Sequence, residues 1–250
     1  MARGSALRWL AYGLAASFFV ATLLQLADQL NLIYQPPTIP DSANLVDRVT
    51  ALIPYRQQVW PLFAAANGLF ALGFLVLIGL GIVLAARAGV SGDRRHLLIW
   101  LIATAGVVGA IGQLVLVGAV KASIDIPYCD CGFKDQEIVS QVWAEMVVQS
   151  AVQVLIYAAG LLAAGGLVVA GAAVAELALP STWRLLSYAA AIMLVVSVAL
   201  GWADVGGDAS TWLTAAVTGL LIPIWAIWLG RSVPAVVARP ANAATTEPPA

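Results

Sequence analysis

Glu145, Gln149, Gln153 and Tyr157 stand four residues apart inside a long apolar run, the densest polar chemistry on any apolar segment of the chain. Side chains at that spacing follow one slowly winding ridge of a helix. A carboxylate, two amides and a phenol on one ridge have the donors and acceptors to hold a ligand. The same groups can also act only as contacts between helices, contributing about 0.6–2 kcal/mol each in lipid. Other polar residues interrupt the remaining apolar segments: Gln25, Asp28, Asn67, Gln113 and Asp204. An unpaired polar group in hydrocarbon is costly, so these residues should face each other or a water-filled cavity. The candidate ligand-binding residues are therefore Asn67, Gln113, Glu145, Gln149 and Gln153, with Glu145 the charged member. Interhelical contact is the competing reading, and it suits Asn67 and Gln113 well.

Cys129 and Cys131 are the only cysteines. With one residue between them a disulfide closes a very small, strained ring, and strained bridges are the more easily reduced. A structural clamp or free thiols is the plain reading. A redox role is weaker, because thiol chemistry of that kind generally uses C-x-x-C. Metal binding through Asp125 or Asp130 is weaker too, since a stable zinc site takes four ligands and the single His96 sits in a different, charged stretch. No metal and no cofactor is expected.

Absences narrow the chemistry further. One histidine cannot supply a bis-histidine haem. No lysine lies deep in an apolar segment to form a retinal Schiff base, and no arginine ladder senses voltage. There is no phosphate-binding glycine loop ending in Lys-Ser or Lys-Thr, and no G-x-S-x-G. A net charge of −1 leaves no basic face for nucleic acid. The chemistry on offer is hydrogen bonding, which leans away from an enzyme.

The elements that position these residues follow from composition. The chain is 62% hydrophobic and 10% charged, against about 25% charged in soluble domains. Its mean hydropathy is +0.93. The expected fold class is all-α, a polytopic bundle of six transmembrane helices over residues 9–27, 62–86, 97–120, 146–175, 185–203 and 212–230. Residues 1–232 form the transmembrane domain, and 233–250, rich in Ala, Pro and Thr, form a disordered tail. The basic start and the apolar run after it are longer than a signal-peptide core, so the first segment reads as an uncleaved span. Two longer connections, 28–61 and 121–141, are expected to be extracellular. In the first, Leu45, Val46, Val49, Leu52 and Ile53 fall at helical spacing after a cap at Asp41 or Ser42, which predicts a short amphipathic helix on the membrane surface or a lid over a pocket.

Positive charge sets the orientation. Arg3, Arg8, Arg87, Arg94, Arg95, Arg184, Arg231 and Arg239 fall on the side of the N-terminus, and Arg48, Arg56, Lys121 and Lys134 on the other. Both termini are therefore expected in the cytoplasm. Trp9, Trp100, Trp183 and Trp228 should lie at the inner interface, and Trp60, Trp143, Trp202 and Trp212 at the outer one. Ten arginines against two lysines suggest a GC-rich bacterial genome, hence a bacterial plasma membrane. Pro223 falls in the middle of the sixth helix and removes the bond to the Gly219 carbonyl, a kink or a hinge. The functional expectation is a non-enzymatic accessory or sensing component with an outward polar face. A small-molecule or ion transporter is the alternative, and a thiol redox or metal-handling protein a weaker one. The lipid bilayer is the expected partner, with a membrane-protein partner or a second copy of the chain beside it.

Overall fold

The computed structural model describes residues 2–87, 92–125, 134–174, 179–203 and 208–237. Cys129, Cys131 and Asp204 lie outside the described residues, as does the tail from 238 onward. Among the described residues there is no strand. The helices are α1 (Ala2–Gln29), α2 (Leu45–Arg87), α3 (Gly92–Asp125), α4 (Lys134–Ala172), α5 (Ser181–Trp202), α6 (Asp208–Ala216) and α7 (Ile222–Val237). A π-helical stretch, Val217–Leu221, joins α6 to α7 without a break, so the two act as one sixth rod. Six helices are long and apolar enough to cross a membrane. They carry large apolar side chains on their outer surfaces as well as inside, among them Phe19, Leu75, Leu114, Leu161 and Ile192. Helices apolar on every side occur in the core of a large protein or as membrane spans.

Each helix packs mainly on its neighbours in sequence, and the sixth rod closes against α1, so the six form an up-and-down ring. The end holding the N-terminus is called proximal below, and the opposite end distal. Close contact depends on small residues. A Cβ on Gly106 of α3 would stand 2.7 Å from the Phe74 carbonyl oxygen of α2 and closer still to the Ile78 side chain, so these backbones approach as they do only because Gly106 has none. Gly68, four residues after Ala64 on the same helix, has open space where a Cβ would stand.

The packed core is concentrated in the proximal half, where Leu7, Leu14, Leu80, Leu84, Leu98, Leu167 and Leu229 surround Trp183 and Trp225. Trp183, whose expected place is the inner interface, does lie at the proximal end but is fully buried among the helices. It lies in the first turn of α5, where the ring can turn it inward to stack on Trp225, centroids 5.1 Å apart and planes 29° apart. The Trp225 indole N–H donates to Ser187 Oγ at 2.9 Å, and Ser187 in turn donates to the Trp183 carbonyl. Trp9, Trp100, Trp143, Trp202, Trp212 and Trp228 are exposed.

The expected surface helix before the second span does not exist as a separate element: α2 runs unbroken for 43 residues through Pro54 and Pro61. The two prolines are exposed and seven residues apart, hence two turns apart on one side of the helix. The carbonyls they leave unbonded fall on that exposed side of the helix. The cap is Asn44, whose Oδ1 accepts the Asp47 N–H at 2.8 Å, and not Asp41 or Ser42. At about 1.5 Å per residue, α2, α3 and α4 span roughly 50–65 Å, well beyond a ~30 Å hydrocarbon core. At the proximal end only four residues separate α2 from α3 and eight separate α4 from α5, which puts the excess length at the distal end. α1 closes at that distal end through Asn31, in the left-handed conformation at φ 52°, with the Leu32 N–H bonded to the Ala27 carbonyl.

Candidate functional site

A ring of six helices leaves a space on its axis unless large side chains fill it. Proximally Trp225, Leu14 and Leu167 do so. Distally the inward residues are short, including Gly160, Ala163, Ser197, Gly201, Thr214 and Ala215, and a cavity of about 260 Å³ remains among all six rods. Between Leu14 and Gln29, both on its wall, α1 rises roughly 22 Å. Polar groups collect toward the distal mouth: Gln25 and Gln29 from α1, Gln153 and Tyr157 from α4, Ser197 from α5, and Thr211, Thr214 and Thr218 from the sixth rod. The floor is apolar, with Phe18, Phe74, Leu77, Ile102, Ile222 and Trp225. Among the described residues, no Asp, Glu, Lys, Arg or His lines it.

Hydroxyl pairs tie the wall together. Ser197 and Thr214 meet at 2.6 Å between α5 and α6, and Thr22 and Thr218 at 3.0 Å between α1 and the π-helical stretch. The Thr22 and Thr218 hydroxyls also each lie 2.8 Å from a carbonyl one turn back, of Phe18 and Thr214 respectively; with one proton apiece, one donates to its carbonyl while the other donates either to its own carbonyl or across to its partner. The π geometry has a local cause. Pro223 has no N–H to offer and its ring would press on the carbonyl four residues earlier, so the preceding turn widens and the Ile222 N–H bonds to Val217 five residues back. The widened turn forms part of the cavity wall.

Of the five residues singled out by sequence, Gln153 lines the cavity and Gln149 lines a shallower groove of about 410 Å³ that adjoins it on the α4–α5 face. Glu145 sits above both. Its carboxylate accepts two bonds from Arg56 of α2, at 3.0 and 3.1 Å, and a third from the Gln149 amide at 2.9 Å. Down this side of α4, Glu145 is held in an ion pair, Gln149 bonds to it, and Gln153 and Tyr157 lie on the cavity wall. Asn67 and Gln113 line neither space. Asn67 donates to the Phe63 carbonyl of its own helix, which satisfies it without a ligand. Gln113 is buried, and its Oε1 accepts no bond. Among the described residues, no three His, Cys, Asp or Glu side chains come together in a way that could hold a metal ion.

Sequence reasoning missed the threonines. Thr211, Thr214 and Thr218 are three and four residues apart, Gln25 and Gln29 four, and Ser197 and Gly201 four, so each helix carried a face-forming repeat. Attention to amides and carboxylates alone passed over hydroxyls. Arg56 was also missed as the partner of Glu145, because no sequence signal joins residues 89 positions apart. Comparison of the chain with protein-family models, with curated proteins and with solved structures finds no match in any of the three.

Proposed function

We propose that this chain is a multi-pass protein of a bacterial plasma membrane, with both termini cytoplasmic, and that it acts as a non-enzymatic sensing or accessory component that takes a small ligand into its central cavity from outside. The carrying observation is the asymmetry of the cavity: hydroxyls and amides toward the distal mouth, and a proximal end closed by the stacked Trp183 and Trp225. Pockets that bind small molecules combine mostly apolar walls with a few convergent polar groups, as this one does. The arginine distribution supports the orientation in which that mouth is external. A partner protein or a second copy would meet the exposed distal stripe of Trp143, Met146 and Val147 on α4.

One observation favours transport instead. The π-helical stretch beside Pro223 lies on the cavity wall, and such stretches are places where a helix changes register. A single experiment separates the two readings. In a chain with Cys129→Ser and Cys131→Ser, Thr214→Cys is exposed to an impermeant thiol reagent in intact cells and in inverted vesicles. A ligand-sensing cavity closed on the cytoplasmic side gives modification in intact cells alone. Modification from both sides supports a transporter, and modification from inverted vesicles alone overturns the proposal.

A further inference from the structure

The central cavity and the groove on the α4–α5 face share one wall, made of Gln153, Tyr157 and Gly201. The groove's remaining lining, Gln149, Ser150, Val154 and Trp202, is exposed on the outer surface of the ring. The Tyr157 ring lies over α5, 6.1 Å from the Trp202 ring, with its hydroxyl against Gly201. Any side chain at 201 would occupy the place of that phenol. Tyr157 therefore stands between the interior cavity and the face of the bundle that lipid would cover.

We infer that the cavity takes an uncharged amphiphile with a single apolar chain, and that this molecule comes in sideways from the outer leaflet through the α4–α5 groove, past Tyr157. The inference rests on the reading of the cavity as a ligand site. Three features carry it. An ionic head would be stripped of water with no counter-charge, because the described lining holds none and Arg56 and Glu145 already neutralise each other. Amides and hydroxyls near the mouth and apolar side chains below match a molecule whose head lies distally and whose chain points toward the bundle's middle. That is the orientation an amphiphile already has in the outer leaflet, so it need not turn over to enter. The volume of 260 Å³ equals that of about nine liquid waters, or a chain of a similar number of methylenes. A short alkanol or a one-chain neutral lipid fragment fits, and a two-chain phospholipid does not.

The test uses the full chain in lipid nanodiscs and 8-bromooctan-1-ol, whose bromine quenches tryptophan on contact. Partition into lipid quenches the exposed tryptophans without saturating. Binding in the cavity adds a saturable component that comes from Trp225, at the floor. That component is expected in the unmodified chain, absent in Trp225→Phe, and absent in Ala163→Phe, which fills the cavity while Trp225 stays. The anionic 8-bromooctanoate should need at least about tenfold more to give it. Stopped-flow association in a chain with Ser150→Phe and Val154→Phe, which plug the groove, should be at least about fivefold slower with an unchanged midpoint. No saturable component, or an equal midpoint for the octanoate, overturns the ligand class. Equal association rates overturn the sideways route. If Thr214→Cys is still labelled from outside while saturable quenching is missing, the amphiphile falls and the ligand cavity stands; if both fail, both fall.

Discussion

Trp225 is the residue on which the closed end of the cavity depends. It is 1% exposed, stacked on Trp183 and hydrogen-bonded to Ser187, so its removal takes away an aromatic pair, a buried hydrogen bond and the cavity floor together. Trp225→Ala should cost about 3–5 kcal/mol, read as a fall in the unfolding midpoint in detergent. Ser187→Ala removes both hydrogen bonds of the hydroxyl, leaves the buried Trp225 N–H unpaired and should cost about 1–3 kcal/mol. Equal costs for the two would mean that the stacking contributes nothing. The Arg56–Glu145 pair is a different case. Arg56 is 40% exposed and Glu145 12%, so solvent screens the pair and a double-mutant cycle with Arg56→Ala and Glu145→Gln should give a coupling of about 0.2–1 kcal/mol that fades with added salt. A coupling above that range at high salt would show the pair to be shielded from water.

At the scale of helices, small residues decide which surfaces meet. Gly106→Val should force α2 and α3 apart and cost about 1–3 kcal/mol, while Gly68→Val, with open space around it, should stay within about 0.5 kcal/mol of the parent. Thermal midpoints of the two variants check this, and similar losses would remove the claimed close approach. The length of α2 is tested by spin labels at Thr50 and Ile82. An unbroken helix puts them roughly 48 Å apart, and a helix that broke at Pro61 to lie along a membrane surface would bring them to about 36 Å. Helix identity was legible in the sequence because an apolar run of this length has few other solutions. Helix ends were not. Two prolines usually mark a boundary, yet Pro54 and Pro61 both face outward on one side, and that fact depends on how α2 packs. The same limit applies to Trp183, whose burial follows from a stack with a residue 42 positions away.

For the whole molecule, the decisive property is that a ring of six helices has an axis, and the residues on that axis change character along it. Bulky apolar groups fill it proximally, and glycine, alanine, serine and threonine leave it open distally. The sequence carried half of this pattern. Polar residues in the distal halves of the apolar segments pointed to a site at that end, and Gln153 with Tyr157 proved to be on its wall. Asn67 and Gln113 shared that depth but not that face, and only the order of helices around the ring could tell them apart. The account holds that lipid surrounds the chain six times and that the cavity mouth looks away from the cytoplasm. In the cysteine-free background, Ser91→Cys, in the stretch between α2 and α3, and Ser210→Cys, in α6, are both read by an impermeant thiol reagent added to intact cells. Position 210 should react and position 91 should stay protected until the cells are opened. Reaction at 91 with protection at 210 would reverse the molecule and leave the cavity facing the wrong side.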